Sequence, residues 1–151
     1  MKHLSLCMLA VVATAMVGCE TGVESPRGFS LPEGDAENGK AVFIKYQCLS
    51  CHRLEGVEQA DIVKSPELSI KLGGKSVVVK TYAELVTSII NPSHKIARGF
   101  PKSSVQVDGV SKMAVYNDIM TVTELVDVVV FLQSQYELIP HTRTEYRFYE
   151  Y

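Results

Sequence analysis

The chain has 151 residues with a formal net charge of −2 at pH 7, and 46% of its residues are hydrophobic. This length accommodates one folded domain with terminal segments. The slightly acidic balance argues against nucleic acid as a partner, because binding to a phosphate backbone relies on clustered Lys and Arg.

The first 18 residues are predicted to be a signal peptide. Lys2 provides a short basic start, and residues 4–17 form a predominantly apolar run of fourteen residues. A transmembrane helix needs about 20 residues, whereas a run of this length is typical of a signal-peptide core. Cys7 lies inside this segment and is expected to be removed with it.

Cys19 is the candidate site of lipid attachment. Residues 16–19 read Met-Val-Gly-Cys and resemble a bacterial lipobox, with Met16 in the place where Leu is commoner. The resemblance implies cleavage after Gly18 and acylation of Cys19. Two or three acyl chains would anchor the protein durably to a membrane, since one chain alone holds only marginally. The alternative is ordinary secretion, with Cys19 near the cleavage site by chance.

The rest of the chain divides into three segments. Residues 19–34 are predicted to be a tether, because they carry Gly, Ser and Pro without usable periodicity. Residues 35–138 are predicted to form one domain without an internal repeat. Residues 139–151 form a tail rich in Tyr and Arg, which are residue types that anchor interfaces. The tail is expected either to dock on a partner or to lie along its own domain.

The first predicted helix begins at Asp35. This residue can cap the helix, and Glu37 in the first turn favours the helix dipole. The apolar face that follows has positions at i, i+3, i+4 and i+7: Gly39, Val42, Phe43 and Tyr46. The helix therefore leads directly into the next motif.

Cys48-Leu49-Ser50-Cys51-His52 has the C-x-x-C-H spacing of a covalent c-type haem site. The two thiols form thioethers with the macrocycle, and His52 is the proximal ligand of the iron. A thioredoxin-like redox pair would lie near a βαβ pattern, which the sequence lacks. A zinc site needs further Cys or His ligands at close spacing, and His94 and His141 lie far apart.

Two further helices are predicted from capping boxes, in which Ser or Thr precedes Glu by three residues. The second helix begins at Thr81 with Glu84, buries Leu85, Ile89 and Ile90, and ends at Asn91-Pro92. Mostly loop is expected over residues 55–79 and 93–114, which suits a chain that wraps a flat cofactor.

The third helix begins at Thr121 with Glu124 and ends before Pro140. A buried strand is the alternative there, because three consecutive valines at positions 128–130 are β-prone. The caps and the length favour the helix. Its apolar face is Leu125, Val129, Leu132 and Tyr136.

Residues 35–136 resemble a class I monohaem cytochrome c. The resemblance rests on Gly39 and Phe43 before the haem motif, on Pro66-Glu67-Leu68 after it, and on Met113 followed by a final helix that carries Phe131. It implies an all-α fold with three main helices and long loops around one haem.

The resemblance also implies specific contacts. The first and last helices cross at Gly39, and Phe43 contacts Phe131. The backbone carbonyl of Pro66 accepts the Nδ1 proton of His52 and orients it as a proximal ligand.

The sixth iron ligand has several candidates. The resemblance favours Met113, although Ala114 replaces the proline usual after the ligand, so the loop is expected to be less preorganised. Met120 is expected to pack in the core or at the haem edge. His94 would give a bis-histidine haem but is more simply a solvated loop residue, and His141 lies past the last helix.

The charge is unevenly distributed along the chain. Residues 19–63 carry eight acidic and four basic side chains, residues 64–112 carry three and eight, and residues 113–151 carry six and two. The basic middle segment is expected to surround the haem edge and to attract an acidic redox partner. The alternative is that these side chains are only solubilising. The basic set is Lys71, Lys75, Lys80, Lys95, Arg98, Lys102 and Lys112.

The sequence therefore predicts a lipid-anchored electron carrier with one covalent haem c, ligated by His52 and Met113, and not an enzyme. It would lie at the outer face of a bacterial membrane, as a respiratory-chain carrier or as the cytochrome subunit of an oxidoreductase complex. The alternative is a gas sensor or a peroxidase-like protein with an open sixth position. No distal His–Arg pair for peroxide cleavage is recognisable.

Overall fold

The structure is a computed structural model that describes residues 30–140. The predicted signal peptide, Cys7, the lipid-attachment residue Cys19, most of the tether, His141 and most of the tail lie outside the described residues.

Helices cover the larger part of the regular structure in residues 30–140. Helix α1 spans Ala36–Lys45, α2 spans Tyr82–Ile90, α3 spans Lys102–Val105 and α4 spans Val122–Ser134. Two short 3-10 turns span Cys48–Ser50 and Pro92–His94. None of the helices in this range is long and apolar enough to cross a membrane.

The three predicted helix starts are confirmed by their caps. The Asp35 carboxylate accepts hydrogen bonds from the backbone N–H groups of Glu37 and Asn38. Thr121 and Glu124 form the complete capping box. At Thr81 only half of the predicted box forms, because the Glu84 carboxylate binds two lysines instead.

Six short strands form three separate pairs in the same range. Strand β1 (His52–Leu54) pairs in parallel with β2 (Ile70–Leu72), and β3 (Gly74–Ser76) pairs in parallel with β6 (Tyr136–Leu138). Strands β4 (Gln106–Val107) and β5 (Val110–Ser111) form an antiparallel hairpin. The expectation of an all-α fold with three helices is therefore not confirmed, since strands and the short helix α3 are added to it.

The core lies where α1 crosses α4. A Cβ on Gly39 would lie 2.0 Å from the Asp127 carbonyl oxygen and 2.7 Å from the Phe131 Cβ, so the two backbones touch at this point. The rings of Phe43 and Phe131 pack with their centroids 5.8 Å apart. The helix crossing and the aromatic contact implied by the resemblance are both confirmed.

Two details of the predicted helix faces are wrong. Ile90 is exposed rather than buried, because the chain leaves α2 at this residue. Tyr136 lies in β6 rather than on the last helix, since α4 ends at Ser134. The valines of 128–130 are helical, so the alternative of a buried strand there is wrong.

Asp127 is a buried carboxylate within α4. Its Oδ1 accepts a hydrogen bond of 2.8 Å from the backbone N–H of Asp35. It thereby pairs the backbone N–H of the residue just before α1 and joins the start of α1 to the middle of α4. This link fixes α1, which leads into the cysteine motif, against α4.

Candidate haem site

The cysteine motif follows α1 without an intervening loop. Tyr46 caps α1, and Gln47 adopts a left-handed conformation with φ of 54°, which turns the chain into the 3-10 turn Cys48–Ser50. The backbone N–H of Cys51 donates to the Cys48 carbonyl at 3.3 Å. Both cysteines are free thiols and half-buried, so the turn presents two thiols next to each other.

Burial changes the acidity of the first thiol. It raises the pKa of Cys48 to about 11. Because the thiolate is the reactive form of cysteine, Cys48 is protonated and unreactive near neutral pH in the bare polypeptide.

His52 opens strand β1 and is mostly buried. Burial lowers the pKa of its imidazole, and the Ile70 backbone opposes this lowering only in part. The ring is therefore neutral near pH 7, which is the form that binds metals.

The predicted hydrogen bond from His52 to Pro66 does not form. The His52 Nδ1 atom is fully buried and has no hydrogen-bond partner among the described residues. The register of β1 and β2 places Ile70 beside His52, while Pro66 is exposed. The residue that the strand register pairs with His52 is therefore Ile70.

A main cavity of about 520 Å³ lies beside the motif. It brings together four of the predicted site residues, which are Cys48, Cys51, His52 and Met113. Its volume falls within the roughly 300–1,000 Å³ typical of cofactor sites. Further lining residues come from β2, the second 3-10 turn, α3 and the segment around Met113: Ile70, Pro92, Val105 and Tyr116.

An inner cavity of about 150 Å³ adjoins the main one and shares Cys48, His52, Met113 and Tyr116 with it. Its remaining walls are mostly apolar, and five of their residues come from helices α1, α2 and α4: Phe43, Leu85, Ile89, Val128 and Leu132. The two cavities together provide a largely apolar space next to two thiols and a neutral imidazole.

Met113 is held by a chain of hydrogen bonds through two serines. Its backbone N–H donates to Ser111 Oγ at 3.1 Å, and the Ser111 N–H donates to Ser93 Oγ at 3.1 Å. The Lys112 N–H donates to the Val105 carbonyl at 2.9 Å. These bonds restrain the loop at the place where the proline usual in the family is replaced by Ala114.

The other ligand candidates occupy different places. His94 is exposed, lines the main cavity and has its Nδ1 2.8 Å from the Asn91 carbonyl oxygen. Met120 lines only the inner cavity, and its N–H donates to the Tyr116 carbonyl. The structure thus places Met113 in both cavities, His94 in the main one and Met120 in the inner one.

Tyr116 is a site residue that the sequence reasoning missed. Its hydroxyl donates to the Tyr46 carbonyl at 3.2 Å, and the rings of Tyr46 and Tyr116 meet edge to face at 5.3 Å. Burial, and then the nearby Cys48 and Cys51, raise the pKa of Tyr116. An aromatic residue three positions after Met113 was the signal available in the sequence.

The predicted basic set is partly neutralised. The Lys80 and Lys95 ammonium groups both bind the Glu84 carboxylate, at 2.9 and 3.1 Å. These hydrogen bonds lower the pKa of Glu84. Its carboxylate is therefore negatively charged near pH 7 and offsets the two lysines. Lys95 and Lys112 line the main cavity, and Lys80 lines the inner one.

The residues present fit a covalently bound haem. The two free thiols and the neutral histidine of the C-x-x-C-H segment share a cavity with the thioether of Met113. The thiols can form thioether bonds, and His52 and Met113 supply the nitrogen and sulfur atoms used as axial ligands.

Comparison with protein-family models gives one match, described as cytochrome c, over residues 36–135. Comparison with curated proteins and with solved structures finds no significant match. The matched range covers more than half of the chain. It contains every lining residue of the main cavity and all those of the inner cavity except Tyr136.

Proposed function

The chain belongs to the cytochrome c family, and we propose that it is a class I cytochrome that carries single electrons through one covalent haem. The family uses haem c for electron transfer rather than for catalysis. The observation that carries the proposal is the shared cavity of Cys48, Cys51, His52 and Met113.

In the proposed site each residue has one role. Cys48 and Cys51 would hold the haem through thioether bonds, and the His52 nitrogen and the Met113 sulfur would ligate its iron. When bound, the haem iron supplies a one-electron ferrous–ferric couple. Met113 provides a soft thioether, which is the ligand type that raises the reduction potential in cytochromes c.

Apolar side chains form one wall of the proposed site. Leu85, Ile89, Val128 and Leu132 form the apolar wall of the inner cavity on the side of α2 and α4. The hydrogen bonds of Tyr116, and those that run from Met113 to Ser111 and from Ser111 to Ser93, restrain the Met113 segment beside this wall. A site that is restrained in this way would change little when the charge of the iron changes, which favours fast electron transfer.

We further propose that the mature chain is a lipoprotein at the outer face of a bacterial membrane, anchored through Cys19. The support is the lipobox-like sequence at 16–19 after an apolar run at 4–17. Cys19→Ser should release the haem protein from the membrane fraction or block its maturation. A Cys19→Ser protein that matures and sediments with membranes as wild type does would refute the anchor.

We also propose an acidic redox partner, which would receive or deliver electrons at the main cavity. Lys112 and Lys95 line that cavity, and Lys102 follows nearby in α3. Positive side chains around an exposed edge speed encounter with a negative surface. A respiratory-chain carrier and the cytochrome subunit of an oxidoreductase complex both fit this arrangement.

The function is tested by a spectroelectrochemical titration of the mature protein. We expect one reversible one-electron wave and a weak charge-transfer band of ferric iron at the red end of the visible spectrum. Met113→Ala should abolish the band, lower the midpoint potential and open the ferrous site to carbon monoxide.

Met120→Ala is the matched control and should leave the band and the potential nearly unchanged. If wild type lacks the band and binds carbon monoxide rapidly, the sixth position is open, and a ligand-binding function replaces the electron carrier.

A further inference from the structure

Tyr46 joins the segment of the first thiol to the segment of Met113. It caps α1 and lies two residues before Cys48, with its side chain half-buried. Met113 lies three residues before Tyr116, which lines both cavities. Contacts between Tyr46 and Tyr116 therefore hold these two segments together.

Tyr116 begins a closed turn of residues 116–120, which we call the tyrosine turn. The Tyr116 carbonyl accepts hydrogen bonds from the N–H groups of Ile119, at 3.1 Å, and Met120, at 2.8 Å. The tyrosine turn is thus held by its own backbone, and it leads directly into the capping box at Thr121. A displacement of one end of this turn would carry the other end with it.

Tyr46 binds both ends of the tyrosine turn. At the first end, the Tyr116 hydroxyl donates to the Tyr46 carbonyl at 3.2 Å, and the two rings meet edge to face at 5.3 Å. Near the other end, the Tyr46 hydroxyl lies 3.0 Å from the Ile119 carbonyl oxygen. These contacts, all made by one residue, restrain the turn beside the end of α1.

The Tyr46 hydroxyl also contacts α4. It lies 3.0 Å from the Glu124 Oε2, so either this carboxylate or the Ile119 carbonyl can accept its single proton. Glu124 binds the Lys45 ammonium and the Thr121 backbone N–H as well. Because a charged acceptor makes a stronger hydrogen bond, Glu124 helps to fix the position of the Tyr46 side chain.

We propose that Tyr46 is a positioning residue for Met113, which holds the Met113 segment in place by binding the tyrosine turn that follows it. This inference rests on the proposed function, because it needs Met113 to ligate the iron. A ligand that the fold already holds in place loses little freedom on binding, so it competes better with an external ligand. Tyr46 thereby supplies part of the restraint that Ala114 does not.

Removal of one hydroxyl at a time tests the inference on the mature haem-containing protein. Tyr46→Phe deletes the contacts with Ile119 and Glu124, and Tyr116→Phe deletes the bond to the Tyr46 carbonyl, while both variants keep the aromatic ring. Each variant should raise the apparent affinity of the ferrous protein for carbon monoxide roughly two- to ten-fold, the range expected for one lost hydrogen bond. Tyr82→Phe, at the exposed start of α2 and lining neither cavity, should leave the affinity unchanged.

A second set of variants separates positioning from a general loosening of the fold. In a Met113→Ala background there is no thioether for carbon monoxide to displace. Tyr46→Phe and Tyr116→Phe should therefore leave the carbon monoxide affinity of that protein unchanged, whereas a merely structural role would alter the affinity with and without Met113. The ferric protein gives an independent readout, since external imidazole should abolish the charge-transfer band at a lower concentration in Tyr46→Phe than in wild type.

The outcomes separate this inference from the function on which it rests. A wild-type protein with neither a reversible one-electron wave nor the ferric band would contradict the proposed function, and the role of Tyr46 with it. A normal wild type, in which Tyr46→Phe binds carbon monoxide no more tightly than Tyr82→Phe does, would overturn only the role of Tyr46. An equal effect of Tyr46→Phe with and without Met113 would also overturn that role alone.

Discussion

The ideal Cβ position on Gly39 lies 2.0 Å from the backbone carbonyl oxygen of Asp127, so α1 and α4 cross with no side chain between them. The same crossing brings Phe43 onto Phe131 and places the end of α1 where the cysteine motif begins. The position of the candidate site therefore depends on this contact.

Gly39→Ala is expected to destabilise the fold strongly. The added methyl would have to displace the backbone of α4, and overpacking of a core costs about 1–3 kcal/mol, occasionally more. Chemical unfolding of the mature protein should show a lower midpoint. Lys40→Ala, at the next and exposed position of α1, should change stability by no more than about 0.5 kcal/mol. Equal stability of Gly39→Ala and wild type would show that the helices do not cross this closely.

Ser111→Ala should loosen Met113 without removing it. The substitution deletes the acceptor of the Met113 N–H, and a net hydrogen bond is worth about 0.5–1.5 kcal/mol. Carbon monoxide should therefore compete with Met113 roughly two- to ten-fold more effectively in the ferrous protein. Titration with carbon monoxide, followed by visible absorption spectroscopy, measures this change in apparent affinity.

Ser103→Ala is the control for Ser111→Ala, because Ser103 is an exposed serine of the short helix α3. If the two variants bind carbon monoxide with equal affinity, the hydrogen bonds of Ser111 do not restrain Met113.

Charges at the main cavity should control the rate at which a small anionic oxidant, such as hexacyanoferrate(III), oxidises the ferrous protein. Lys112→Gln should slow the second-order reaction, and Glu84→Gln should speed it, because Glu84 offsets the charge of Lys80 and Lys95. Each effect should be several-fold at low ionic strength and should vanish near 1 M salt, where the Debye length is about 3 Å.

Lys40→Gln, which does not line either cavity, is the control for the charge prediction. Lys40→Gln could slow the reaction as much as Lys112→Gln does. In that case the rate depends on the total charge of the protein, and the charges that line the cavities have no special role.

Glu124 should give the protein a component of stability that is lost in acid. The Lys45 ammonium and then the Thr121 backbone lower the pKa of Glu124 from 4.5 to about 2. A carboxylate whose pKa is lower in the folded state stabilises the protein above its unfolded pKa, and this contribution disappears as protons bind to the folded state. The contribution should therefore be complete above about pH 4.5 and be lost as the pH falls towards 2.

Thermal unfolding as a function of pH measures the Glu124 contribution. The difference in Tm between wild type and Glu124→Gln should shrink through this pH window and be absent below it. Glu33→Gln changes an exposed carboxylate before α1 and serves as the control. A Tm difference that is constant from pH 7 to pH 2 would contradict the charged contact.

The helix starts and the cysteine motif could be predicted because their signals are local. Asp35, Thr81 and Thr121 each act through a neighbour within three residues. The C-x-x-C-H spacing by itself predicts covalent haem attachment. The crossing at Gly39 was predicted only through the resemblance, since no local rule pairs two helices so far apart in the chain.

The strands and several site residues could not be predicted, for physical reasons. Strands of two or three residues are too short to show an alternating pattern. Ile70 lies beside His52 because β1 pairs with β2, which is a tertiary contact. Asp127 acquires its role only through burial beside Asp35, which is distant in sequence.

The central claim is that Cys48 and Cys51 hold one haem covalently, and intact-mass measurement of the mature protein tests it most directly. The protein is denatured in acid and organic solvent, which removes any haem that is not covalently bound. The account predicts a mass equal to the polypeptide plus one haem, and a Cys48→Ser/Cys51→Ser double variant that carries none. A wild-type protein that has the mass of the bare polypeptide after this treatment would contradict the claim.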